Sequence, residues 1–138
     1  MRMKLARKLE IGSACAVIPV LLEVMPASRV LRWISRIPPR AGERVAPERL
    51  AFHVGRLLQR APLLWHYSCL RRAAVLAALL RREGVAADVA IGVRRTAAGA
   101  VVAHAWVRRE DGVPYLEGEG VQDFVELTAP GALPQAGK

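Results

Sequence analysis

Two side chains in this sequence have the types that chemistry at a carbonyl calls for, Cys69 and His104. Cys69 follows Ser68 and opens a segment, Cys69 to Arg82, whose pattern predicts a helix. In the first turn of a helix the unpaired backbone N–H groups and the dipole favour negative charge, which is what a nucleophilic thiolate needs. His104 is a lone imidazole between small Ala103 and Ala105, on the strand face that also carries Trp106. A two-residue hairpin turn at Asp111-Gly112 would pair Glu110 with Val113, Trp106 with Glu117 and His104 with Glu119. Both carboxylates would then project from the imidazole's face, one orienting the ring while its other nitrogen takes the thiol proton. The bland alternatives are a buried cysteine without duty and a core histidine satisfied by a carbonyl. Cys15, inside an apolar run and without a capping context, is read in the bland way.

The elements that must position these groups follow from period and punctuation. The first third reads as helical, broken at Pro26 and at Pro38-Pro39, with Leu31, Ile34 and Ile37 on one face and Arg29, Arg32, Arg36 and Arg40 on the other. After a loop from Pro38 to Ala46, a helix begins near Pro47, proline being tolerated at a first helical position. Leu50, Val54, Leu57 and Leu58 form its apolar stripe, and Arg49, His53, Arg56 and Arg60 a solvated one. Pro62 ends it, and Trp65-His66-Tyr67-Ser68 leads into the Cys69 segment. Ala73 to Leu80 contains no polar residue, the mark of a central helix packed on more than one face. Ser68 is its expected N-cap and Gly84 its left-handed C-cap. The period then changes from 3.6 to 2, predicting a strand from Ala87 to Arg94, a turn at Thr96–Gly99 and a second strand from Val101 to Val107. A third runs from Val113 to about Glu119, a short one lies around Phe124 to Leu127, and Pro130 to Lys138 is a frayed tail. Helices followed by antiparallel strands make an α+β domain.

Composition sets the outer limits. A chain of 138 residues, 53% hydrophobic and 5% aromatic, is one domain whose interior is built mainly from Ala, Val, Leu and Ile, and it is not intrinsically disordered. Its net charge of +9 is polarised, with +6 over residues 1 to 44, +7 over 45 to 108 and −4 over the remainder, and all the cations but Lys4, Lys8 and Lys138 are Arg. Basicity invites a binding module for nucleic acid or anionic lipid, but no nucleic-acid motif is present and aromatics for base stacking are scarce. The two cysteines show no metal-ligand spacing, and there is no phosphate-binding glycine loop, so neither metal nor cofactor is expected. Arg2, Lys4, Arg7 and Lys8 before the apolar run Ile11–Leu22 have the outline of a secretory signal. Glu10 at the join, Pro19 within and Glu23 at the end predict instead an uncleaved helix, packed on protein or lying on a membrane surface, in a cytoplasmic chain.

Cys at a helix start, His on the following strands and an acid on the next resembles the transglutaminase-like, papain-related cysteine hydrolases. Ser68-Cys69-Leu70-Arg71-Arg72, Leu80-Arg81-Arg82-Glu83-Gly84, Ile91-Gly92-Val93-Arg94-Arg95 and Ala103-His104-Ala105-Trp106-Val107, in this order, are similar to the leader peptidases, or B proteins, of lasso-peptide biosynthesis. The resemblance covers about residues 50 to 127. It implies a single papain-like domain with a helical segment over 1–46, a catalytic core over 47–128 and a flexible tail over 129–138. It implies Cys69 as nucleophile, His104 as general base and then acid, and Glu117 as the orienting acid. Glu117 stands where the family has Asp, five residues beyond the hairpin glycine, with Glu119 and Asp123 as alternatives for the place. Implied partners are a precursor peptide, a separate leader-recognition protein and an ATP-using macrolactam cyclase. The same fold could instead move an acyl group to an amine.

Overall fold

The apolar segment that the sequence singles out is the axis of the protein in the computed structural model, which describes residues 4–41, 44–60, 69–109, 114–115 and 123–127. Four helices are followed by three strands: α1 (Leu5–Val24), α2 (Ala27–Ser35), α3 (Pro47–Gln59), α4 (Cys69–Arg82), β1 (Ala87–Arg95), β2 (Val101–Arg109) and β3 (Val125–Glu126). Every residue of α4 from Ala73 to Leu80 is buried. The other three helices and the strands β1 and β2 all pack on α4, and α2 also reaches β1. Small Ala side chains let neighbours approach, and each buried Leu, such as Leu76 and Leu80, contributes about 1.5–3 kcal/mol of burial. The domain is α+β, as the sequence predicts.

The ends of α4 are set by chemistry legible in the chain. Gly84 adopts φ +82°, its N–H bonds to the Arg81 carbonyl (3.0 Å) and the Val85 N–H to the Leu80 carbonyl (2.9 Å), a Schellman closure of the last turn. Three residues later the chain is in β1. Glu83, buried beside this turn, accepts from Arg7 of α1 and from the Val45 N–H (2.9 Å). Arg40 joins Glu10 of α1, and its backbone N–H donates to the Arg82 carbonyl (2.8 Å). Burial and the nearby Arg7 push the Arg40 guanidinium below its ordinary pKa. α1 runs through Pro19 without interruption, burying Ile11, Cys15, Ile18 and the proline itself. In α3 the buried stripe is Leu50, Val54 and Leu58; Leu57, expected in it, is 41% exposed. Residues at spacings of four stay on the α4 side, and Leu57 falls off that line.

The sheet has the order β2-β1-β3, antiparallel throughout. β1 and β2 pair from Ala87 opposite Arg109 to Arg95 opposite Val101. The turn between them is held by Thr96, whose carbonyl accepts the Gly99 N–H (2.9 Å) and whose hydroxyl accepts the Ala100 N–H (3.1 Å), with Gly99 at φ +86°. Ala87, Val89, Ala105 and Val107 join the α4 core, whereas Ala90 and Trp106 form a second cluster with Phe124 on the opposite face.

The expected hairpin register beyond β2 is corrected by one residue. Arg108 pairs with Pro114 rather than with Tyr115, and the Tyr115 N–H donates to the Val107 carbonyl (2.8 Å). Alternate residues of β2, Ala105 and Val107, turn their polar backbone groups to the edge away from β1, and Arg109 shares their parity. A proline opposite Arg109 would sit in a hydrogen-bonded pair without an N–H to give. Opposite Arg108 it needs none. The pairings expected for Trp106 with Glu117 and for His104 with Glu119 fall on residues outside those described. Asp111, Gly112, Glu117 and Glu119 themselves lie outside the described residues, as do Ser68, the Trp65-His66-Tyr67 segment and the tail.

Candidate active site

Cys69 is the first residue of α4 and is half-buried. Its Sγ accepts the backbone N–H of Ala105 at 3.4 Å. That amide points out of the edge of β2 away from β1, the edge on which Tyr115 also meets Val107. Ala105 is joined by one peptide bond to His104, so the sulfur stands within about 5 Å of the His104 carbonyl carbon. The start of the central helix and the histidine strand therefore meet at this point. The sulfur thus stands at a helix N-terminus with an amide donor aimed at it. Cys15, in contrast, is 8% exposed within the core, and burial raises its thiol from 9.0 to about 11.

The His104 side chain belongs to the sheet face that Trp106 shares. Its ring stacks on Trp106, with centroids 5.9 Å apart and planes at 26°, and lies 5.4 Å from the Phe124 ring. The three rings are mutual neighbours, Trp106 and Phe124 being 6.3 Å apart, on the face away from the α4 core, so it is the main chain of His104 and not its ring that adjoins the thiol. Trp106 leans over Gly92, which pairs with His104 on one side and with Glu126 on the other. A Cβ at Gly92 would stand 2.6 Å from Trp106 Cη2 and 2.9 Å from the Val125 carbonyl oxygen, so the aromatic bed needs glycine there. β3 is fastened to the same face by an ion pair between Glu126 and Arg108, a guanidinium only 2% exposed, whose pKa is lowered by burial and partly restored by Asp88.

Of the three candidates for the acid, Asp123 alone is among the described residues. It is exposed and immediately precedes Phe124, whose ring faces the imidazole. Among the described residues no group of three His, Cys, Asp or Glu side chains could hold a metal ion.

Sequence reasoning missed the sulfur's donor and the aromatic bed. The parity of β2 could have pointed to the first, because an edge amide beside a helix start must find an acceptor. The second follows from cross-strand neighbours, which only the register supplies.

No curated protein and no solved structure matches the chain at a significant level. The family model described as transglutaminase-like superfamily matches residues 14–129, from within α1 to just past β3. With a cysteine opening the central helix and a histidine on the strand it touches, the chain belongs to the transglutaminase-like superfamily, whose members are typically cysteine-type enzymes.

Proposed function

We propose that this protein is a cysteine peptidase that cuts the leader from a lasso-peptide precursor, working with a leader-recognition protein and a macrolactam cyclase. The observation that carries the reading is the Cys69 thiol at the start of α4, accepting the amide that follows His104. The order of motifs around it, from Ser68-Cys69 to His104-Ala105-Trp106, supports the substrate class. The His104 ring, which lies on the sheet face away from the α4 core, must turn round the β2 edge to take the thiol proton as Sγ attacks the carbonyl carbon of the leader–core bond. The tetrahedral oxyanion collapses, the C–N bond breaks and the imidazolium returns its proton to the amine of the core peptide. The leader remains on Sγ as a thioester. Water, losing a proton to His104, attacks that carbonyl, the C–S bond breaks and the thiol is restored with a leader carboxylate as product. Glu117, Glu119 or Asp123 orients the imidazole.

Mass spectrometry of a precursor peptide incubated with the enzyme and a leader-recognition protein tests this. Cys69→Ala and His104→Ala should each abolish cleavage with the circular dichroism spectrum unchanged, and cleavage by either variant ends the reading. Glu117→Ala should cost less than either, about 10⁴-fold, since an orienting group is partly replaceable. Full activity there moves the role to Glu119 or Asp123. Transfer of the acyl group to an added amine in preference to water would favour the alternative chemistry of this superfamily.

A further inference from the structure

α1 is apolar on two sides, and only one of them is covered. Ile11, Cys15 and Ile18 are buried, whereas Leu5 (71% exposed), Leu9 (62%), Val20 (43%) and Val24 (72%) face solvent. At 3.6 residues per turn these four fall within about 100° of the helix circumference, a stripe about 30 Å long. Two polar residues share that stripe: Ser13 folds its hydroxyl back onto the Leu9 carbonyl (2.8 Å), and Glu23, in line with Leu5, is paired with Arg71. Cations flank the stripe on both sides. Lys8, His53, Arg56 and Arg60 line a cavity of about 320 Å³ between α1 and α3 that no carboxylate enters among the described residues. On the other flank Arg36 and the half-exposed Trp33 line a groove with Ser13 and Val17.

Negative charge nearby is already engaged. Glu10 pairs with Arg40 and Arg82, Glu23 with Arg71, and α2 contains no acid. What is left is a long apolar strip with an indole, bordered by positive charge on both sides. A plane of phosphates over hydrocarbon complements that arrangement along both borders at once, whereas a single acidic helix laid in a groove would meet one. No helix among the described residues is long and apolar enough to cross a membrane, so the geometry is that of lying on one.

We propose that α1 lies flat on an anionic lipid surface, its Leu5–Val24 stripe among the acyl chains and the flanking α2 and α3 cations against headgroup phosphates. The full chain should co-sediment with vesicles containing phosphatidylglycerol and much less with vesicles of phosphatidylcholine alone, and rising salt should weaken binding. Leu9→Glu with Val20→Glu, both at exposed positions, should reduce partitioning by at least about tenfold. Arg56→Gln and Arg60→Gln should each reduce it about fivefold. Cys69→Ala should bind as the unaltered chain does, which separates this result from the fate of the peptidase reading. Equal binding to both kinds of vesicle, or unchanged binding by the doubly substituted chain with its helicity intact, would overturn the proposal. So would a dimer that Leu9→Glu and Val20→Glu disperse in the absence of vesicle binding, which would give the face to a second copy.

Discussion

The two sulfurs of this protein differ in surroundings, and the difference is measurable. Cys69 stands half-buried at a helix start beside an amide donor, while Cys15 is enclosed by aliphatic side chains that raise its pKa to about 11. Iodoacetamide at neutral pH should therefore modify Cys69 in the folded protein and Cys15 only after denaturant is added, as read by peptide mapping. Equal labelling would contradict the burial argument. Because the Cys15 thiol ionises later folded than unfolded, its stabilising contribution is complete below pH 9 and is lost as pH rises towards 11. Gly92 is the other informative residue. In Gly92→Ala the new methyl must displace Trp106 or β3, which should cost about 1–3 kcal/mol and lower turnover through the displaced His104 ring, seen in urea unfolding and in the cleavage assay. The placement of Cys69 at a helix start and of His104 on a strand was legible from residue type and position, whereas the requirement for glycine at 92 was not. It arises from side chains that register brings across from neighbouring strands.

At the level of elements, α4 shows how far local rules reach. Its limits, Cys69 and Arg82, and the burial of its middle from Ala73 to Leu80 follow from an unbroken apolar run with Gly84 beyond it. Gly84→Ala should destabilise the protein by about 1–2 kcal/mol, because an L side chain at φ +82° is strained; a fall in the urea midpoint with an unchanged slope would measure it. The hairpin after β2 shows where local rules stop. Counting from Asp111-Gly112 gave a register that ignored Pro114, and the absence of one N–H moved the pairing by a residue. The information was in the sequence, but it mattered only once the pairing of β1 with β2 had fixed which amides of β2 face outward. The position of the third catalytic candidate depends on that same register.

Across the whole molecule, residues distant in sequence are bound through Glu83. This carboxylate, 4% exposed, joins Arg7 of α1, the Val45 amide before α3 and the end of α4. Glu83→Gln removes the charge that answers Arg7 and should cost about 3 kcal/mol, a loss that thermal unfolding would detect and that Arg7→Met in the same chain should partly relieve. The α+β class and the helix-then-sheet order could be read from the change of hydrophobic period. The strand order could not, since a two-residue strand on the far edge of β1 leaves little pattern. One consequence concerns motion. α4 is pinned at its start by the sulfur on β2 and at its end by the tight closure into β1, so helix and sheet must travel as a rigid unit. A beam fixed at both supports does not swing, and any change of shape around the thiol falls to the elements that surround helix and sheet.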